Sequence, residues 1–337
     1  MELITDFATP VELTGAARAS LADYEVANGT LAQFLPNITS ESRIAKFSIA
    51  ATGLAEAADY RSWDAEASIG FGAEGDGSGL AELPPVSQKL RISELDTVDS
   101  SVASAPEWKR NIAVKKAAEA SRAIADRVEF ARGQALQNGK VVIADSGFSA
   151  TVDFDRPAEL TATAGTLLTA PDADLFEILD AAVSVFEDAN GGAAPAQAIV
   201  SRKVISLALK SAAVIATVDG QGSTARRVSI DALNSSLAEN GLPTLVGYNR
   251  RINKGGTLTR VLDETLAVLV AEDAGRTVFG PTAEANEPGY GLAAEDRPGI
   301  AVGAYKTNDP IATWVKAAAT ALPILANGSR TMSLKVL

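Results

Sequence analysis

The chain has 337 residues, 47% hydrophobic and 21% charged, which is enough to bury a sizeable core and excludes a disordered polymer; the length is a prior for about two domains. Cysteine and histidine are both absent, which excludes disulfides, thiolate chemistry, the usual zinc sites and every Ser-His or Cys-His relay, and turns the reading away from catalysis. A net charge of −12 repels nucleic-acid phosphates, so tight duplex binding is not expected, whereas surrounding nucleic acid without gripping it is compatible with that charge.

The start, MELITDFATP, is acidic where an export signal is basic. No apolar run approaches the roughly 18 residues of a membrane span, Lys210 interrupting the best candidate, so a cytoplasmic protein with no membrane partner is expected. Thr9-Pro10 predicts a helix N-terminus, Thr as N-cap and Pro at the first helical position, running to about Tyr24 with a thin stripe of Val11, Leu13, Ala17, Leu21 and Tyr24. NGTLAQFLPN then reads as turn-rich, so about the first 35 residues are expected to be an arm and not a domain.

RIAKFSIA (43–50) alternates, with Ala45, Phe47 and Ile49 on one face of a half-buried strand. VSQKLRIS (86–93), with Val86, Gln88, Leu90 and Ile92 sharing a face, is the expected return strand. Between them Gly70 to Gly75 spell G-x-G-x-x-G, the dinucleotide-binding fingerprint. That motif needs a buried strand before it and a helix after it. Here the preceding segment is polar, Pro84-Pro85 leave no room for a helix, and Asp64, Glu66, Glu74, Asp76 and Glu82 accumulate with no Lys or Arg between Arg61 and Lys89. A flexible acidic loop tip is expected instead. A long two-stranded ribbon is marginal alone and must lean on something, in this chain or another.

Ser104 as cap, with Pro106 and Glu107 in the first turn, opens the strongest helix, which continues to Gly139 and spans roughly 45–50 Å. Lys109, Arg110, Lys115, Lys116, Arg122, Arg127 and Arg132 outnumber Glu107, Glu119, Asp126 and Glu129 along it, and Ile112, Ala117, Ile124, Val128 and Leu136 form a narrow apolar seam. It is either a solvated charged helix or a spine that carries partners on its polar face. KVVIADSGFSATVDF is a hairpin turning at Asp145-Ser146-Gly147. From 171 to 275, helices (DADLFEILDAAVSVFED, RKVISLALKS, SIDALNSSLAEN) alternate with strands (QAIV, PTLVGYNRRI, LAVLVA), a compact α/β module. Asp172 and Asp174 suit a helix N-terminus; a carboxylate and Mg²⁺ site there or in the glycine loop is the enzyme alternative.

This order of parts resembles the tailed-phage major capsid proteins of the Hong Kong 97-like fold, and the local text narrows the likeness to the lambda-like major head protein family. LVAEDAGRTVFGPTAEANE (269–287) is similar to that family's Gly-x-Thr-x-x-Gly-Pro-x-x-Glu segment, matched by Gly275, Thr277, Gly280, Pro281 and Glu284. GLPTLVGYNRRI after a short helix matches as well. The tail YKTNDPIATWVKAAATALPILANGSRTMSLKVL resembles the family's closing Asp-Pro, then a helix or strand, a Pro and a terminal strand. The likeness covers nearly the whole chain in order, although no single motif is chemically diagnostic.

The resemblance implies an α+β chain: an N-terminal arm over 1–40, an extended two-stranded loop over 41–97, a peripheral domain with spine helix and hairpin over 98–165, an α/β axial domain over 166–285, and a return to the peripheral domain over 286–337. It implies a structural head protein with no catalytic residue, cofactor or metal, which assembles with itself into the hexamers and pentamers of an icosahedral shell around double-stranded DNA. Portal, scaffold and decoration proteins are the implied partners, the virion capsid the location, and the host cytoplasm the place of assembly. An encapsulin-like bacterial compartment shell shares the fold and is the alternative; a Mg-dependent or nucleotide-binding enzyme is the remaining one. Some relatives weld their shells by an isopeptide bond from a loop-tip Lys; residues 62–88 hold none, so no such weld is expected there. Charge suggests another contact, with the loop acids Asp64, Glu66, Glu74, Asp76 and Glu82 of one subunit across Lys109, Arg110, Lys115, Lys116, Arg122, Arg127 and Arg132 of its neighbour's spine helix. Exposed pairs contribute about 0–1 kcal/mol each, so many must act together or the contact serves specificity.

Overall fold

The computed structural model describes residues 3–49, 77–92, 106–145, 148–170, 173–220, 225–308 and 311–337. In chain order these form α1 (Pro10–Ala27), β1 (Asn37–Thr39), β2 (Ile44–Ile49), β3 (Gly77–Glu82), β4 (Pro85–Ile92), α2 (Pro106–Asn138), β5 (Lys140–Asp145) and β6 (Phe148–Asp153). They continue as β7 (Thr161–Thr163), α3 (Leu175–Ala189), β8 (Gln197–Val200), α4 (Arg202–Ala208), α5 (Ala212–Asp219), α6 (Ile230–Glu239), β9 (Thr244–Gly247), β10 (Arg251–Lys254), β11 (Thr257–Arg260) and β12 (Leu266–Val270). β13 (Gly275–Gly280), α7 (Ala283–Asn286), β14 (Ala301–Asn308), β15 (Ile311–Leu325) and β16 (Thr331–Lys335) follow. The chain divides into two units, residues 1–45, 80–132 and 276–324, and residues 46–79, 133–275 and 325–337.

The first unit is organised by β15. Its sequence, IATWVKAAATALPIL, is rich in the best helix former, yet it is a 15-residue strand. β14 pairs along 311–318 and β4 along 313–320, on opposite edges of it. β13 pairs with it too, and β1 adds in parallel to β13. Packing overrides propensity here, because Ala317, Ala318 and Ala319 are all buried, so small side chains are what a sheet covered on both faces can accommodate. Val315, Ala317 and Ala319, with Ile92, Leu90 and Val86 beside them on β4, form one core with α1 and α2.

Helix α1 starts where its cap predicts, with the Thr9 hydroxyl accepting the Glu12 amide at 3.2 Å. Its thin stripe is sufficient for packing: Leu13, Ala17 and Leu21, four residues apart, are buried against the alanine-rich side of α2. The Thr14 hydroxyl accepts the Val302 amide at 2.9 Å and donates to the Val302 carbonyl at 3.3 Å, tying the helix to β14. The segment expected as an arm is therefore packed within the first unit at α1.

The ribbon differs from the expectation in its second strand. β2 pairs with β3, not with β4, and β4 belongs to the sheet on β15. The reason is a ring in the place of a side chain. A Cβ on Gly79 would lie 2.1 Å from Phe47, so the Phe47 ring occupies the space over the glycine. It also meets Phe154 edge-on, with centroids 5.1 Å apart, which holds down the base of the ribbon.

The second unit is built on a five-stranded sheet in the order β7-β16-β12-β8-β9. β12 runs antiparallel to β16 and β8, while β9 lies parallel to β8 and β7 parallel to β16. The amphipathic α3 buries Leu175, Ile178, Leu179, Ala182, Val183 and Phe186 in the core beneath. β5 and β6 form the predicted hairpin, with Asp145 opposite Phe148. A Cβ on Gly133, inside α2, would lie 2.4 Å from the Val261 carbonyl oxygen and 2.6 Å from Val261 Cγ1. Gly133→Ala gains about 1 kcal/mol of helix propensity but must displace backbone, an overpacking penalty of about 1–3 kcal/mol. The expected result is a net destabilisation, measured as a lower urea midpoint.

Candidate functional site

Most of the spine bases expected to face a neighbour have partners in their own unit. α1 lies beside α2 and runs parallel to it, since contacts advance together along both. Arg110 pairs with Glu12. Arg122 donates to the Ser20 hydroxyl at 3.3 Å and lies over the Tyr24 ring, and the Tyr24 hydroxyl bonds Asp126 at 3.0 Å. Lys116 pairs with Glu119 one turn away at 2.9 Å, and Arg127 stacks on Phe130. Lys109 and Lys115 have no hydrogen bond or ion pair among the described residues.

Arg132 is a correction. It is 1% exposed and cannot form part of the polar face. Its guanidinium donates to Thr277 Oγ1 at 2.9 Å, Glu129 Oε2 at 3.0 Å and Glu25 Oε1 at 3.1 Å, and also to Asn37 Oδ1. Glu129, equally buried, accepts the Leu31 amide at 2.8 Å through its other oxygen, and the Thr277 hydroxyl donates to the Leu35 carbonyl at 2.9 Å. The chain between α1 and β1 covers this side of the helix, which converts a surface arginine into the centre of a closed polar network.

Of the loop acids, Asp64, Glu66, Glu74 and Asp76 lie outside the described residues, as do the glycines of the G-x-G-x-x-G sequence and Asp172. Glu82 is exposed on β3 and lies 3.6 Å from Arg43 across the ribbon. Beside it on the outward face, Ile44 is 43% and Leu80 63% exposed, so the ribbon presents two uncovered apolar side chains. Asp174 caps α3, accepting the Phe176 amide at 2.9 Å. No group of three or more His, Cys, Asp or Glu is positioned to hold a metal among the described residues.

The residues that carry the textual resemblance have structural partners. Thr277 is held by Arg132, and Glu284 pairs with Lys316 at 2.6 Å. A Cβ at Gly280 would meet Leu83 Cδ1 at 2.5 Å. Tyr290, packed near Glu284, has its hydroxyl pushed up to about 12 by burial first and by the charges of Glu284, Tyr305 and Glu287 after it, so it is neutral at physiological pH.

At the far end of the spine helix, Arg156 donates to the carbonyls of Gln137 at 2.8 Å, Leu136 at 2.5 Å and Ala135 at 3.3 Å, and to Thr331 Oγ1 at 2.6 Å. It supplies the donors that the last turn of a helix lacks, with a positive charge at the negative end of the dipole. Burial pushes its guanidinium down to about 10, Asp153 opposing the shift, so it stays charged at neutral pH.

Residues 52–336 match the family model described as phage major capsid protein E. No curated protein sequence matches significantly. Among solved structures, the chain is similar to a protein assigned as a prophage capsid protein from Escherichia coli CFT073, with 15% identity over 96% of this chain and 99% of that one and a TM-score of 0.63. It is similar to a phage-related protein from Bordetella bronchiseptica RB50, with 15% identity, 99% and 98% coverage and a TM-score of 0.59. The capsid of Myoviridae phage XM1 matches with 10% identity, 91% coverage of each chain and a TM-score of 0.50.

Proposed function

Because the chain belongs to the phage major capsid protein E family and has the Hong Kong 97-like fold, its role is structural, in a phage capsid shell, and we propose that it builds the shell by closing into hexameric and pentameric rings. The observation that carries this reading is the β2–β3 ribbon. Phe47 and Phe154 fix its base, while Ile44 and Leu80 on the opposite face stand exposed, a surface that another copy can cover. On this proposal the acidic segment Asp64 to Asp76 meets a neighbour at Lys109 and Lys115, the spine bases with no ion pair or hydrogen bond among the described residues. The shell encloses double-stranded DNA without gripping it, as a net charge of −12 favours, and is assembled in the host cytoplasm with portal, scaffold and decoration proteins as further partners. No described helix is long and apolar enough to cross a membrane. An encapsulin-like compartment shares the fold, and family membership is what favours a phage head over it.

Negative-stain microscopy of the purified chain tests the reading. Capsomer rings or uniform icosahedral particles are expected, and a small compact oligomer alone would sink it. Changing Asp64, Glu66, Glu74, Asp76 and Glu82 to Lys is expected to lower assembly several-fold and to change its salt dependence, since pairs worth about 0–1 kcal/mol each become repulsive together. Unchanged assembly and salt response would remove the loop acids from the interface.

A further inference from the structure

Charge is unevenly divided within the second unit. Residues 157–188 carry seven acids and no base, whereas residues 189–262 carry nine bases against three acids, in a chain whose net charge is −12. The sheet order keeps the two apart. α3 lies along the β7 and β16 end of the sheet, where Ala162, Thr163, Met332 and Leu334 line a groove of about 300 Å³ with Ile178 and Ala182 of the helix. The basic residues follow β8 and β9, at the other end. Four inter-strand steps of about 4.8 Å separate the two edges, roughly 19 Å in all.

The outward stripe of α3 is Glu177, Asp180 and Asp188, exposed, with the small residues Ala181 and Ser184 exposed between them. None of these acids has an ion pair or hydrogen bond among the described residues. On the opposite edge, Arg202 and Lys203 open α4, and the Arg202 amide donates to Asn249 Oδ1 at 3.0 Å, two residues before Arg251. At the other end of α4, the Val228 amide bonds the Leu209 carbonyl at 3.1 Å and places Arg226 and Arg227 near Lys210. Arg202, Lys203, Lys210, Arg226, Arg227 and Arg251 are exposed, and their side chains have no partner among the described residues. Lys254 and Arg260 are already held by Asp145 and Glu264, and Arg250 is partnered, so these three stand apart from the free basic edge. Asp219, Asp231 and Glu239 are the only acids of the basic segment, and all three are exposed. The stripes are of similar length, about 16 Å from Glu177 to Asp188 and about 12 Å from Arg202 to Lys210.

We infer that the acidic face of α3 and the basic edge around α4 are the two halves of one contact, made between successive copies of this chain around a capsomer ring. The inference rests on the shell reading above. A contact between two different faces is the kind that a rotation closes into a ring. Opposite charge on the two faces fixes which meets which, and like charge disfavours the face-to-face pairing that would end in a dimer. A polyanion such as duplex DNA would use the basic face alone and leave the matching acidic stripe unused.

The test uses the full chain in three forms: Glu177→Lys with Asp180→Lys and Asp188→Lys; Arg202→Glu with Lys203→Glu and Arg251→Glu; and all six together. Each triple variant is expected to lower the assembled fraction at low salt by at least about tenfold, by microscopy and gel filtration, while circular dichroism stays native. The six-fold variant, with polarity reversed but complementarity kept, is expected to recover assembly. Equimolar mixing of the two triple variants is expected to give co-assembled rings that neither forms alone. Triple variants that assemble like wild type, or failure of both the six-fold variant and the mixture, overturn the contact. A basic-face variant that assembles normally but loses binding to duplex DNA also overturns it and assigns the face to a polyanion. Wild type that forms no ring or shell overturns the shell reading along with this contact, whereas assembling wild type with assembling variants overturns the contact alone.

Discussion

Replacing Arg132 by methionine is expected to lower the unfolding free energy of the unassembled subunit by about 3–5 kcal/mol, read as a fall in the urea midpoint. The size of the effect comes from what the substitution leaves behind. Methionine matches the volume of the arginine stem, so packing changes little. Glu129, 1% exposed, would lose the buried cation that pairs with it, and Glu25 and Asn37 would each lose a donor. Removing one partner of a buried pair is far more damaging than the net worth of the pair. The companion variant, Arg132→Met with Glu129→Gln, removes the stranded charge and keeps an acceptor for Leu31; it is expected to recover at least about 1 kcal/mol. A double variant no more stable than the single one would mean that lost packing, and not stranded charge, sets the effect.

Arg156→Leu is expected to be comparably severe, about 3–5 kcal/mol, because three helix-terminal carbonyls and the Thr331 hydroxyl lose their donor together at a partly buried position. Arg156→Lys is expected to rescue less than about half of that. One ammonium cannot span the carbonyls of residues 135 to 137 as a planar guanidinium does, and desolvation that already lowers an arginine to about 10 will push a lysine much closer to neutrality. Denaturation of the two variants side by side checks this ranking, and equal stability of Lys and wild type would contradict it.

The helices were legible because their signals are local. Thr9-Pro10 marks α1, and Pro106 with Glu107 marks the first turn of α2, whose 33 residues run to the predicted end. The β5–β6 hairpin was equally local. What escaped the sequence was non-local. β3 reads GSGLAE and shows no apolar alternation, because its inward positions are filled by the Phe47 ring over Gly79 and by small Ala81. β4 has a strand pattern, but its partner lies more than 200 residues away on β15, which its alanines disguise as a helix. Arg132 was indistinguishable from its basic neighbours, since the segment that buries it comes from residues 25 to 37. The division of charge between residues 157–188 and 189–262 was present in the sequence and is visible once charge is counted along the chain and not summed over it.

The position of β16 also sets a timetable. It lies between β7 and β12 in the sheet, yet it follows β12 by some 60 residues in the chain. At 5–20 residues per second on the ribosome, the sheet of the second unit waits roughly 3–12 seconds for its missing strand after β12 has been made. Throughout that interval β7 has no neighbour to hold it beside β12, and the end of the sheet on which α3 rests is open. On the proposed ring contact, a nascent chain presents its acidic and basic faces at their final separation only once β16 has taken its place between β7 and β12.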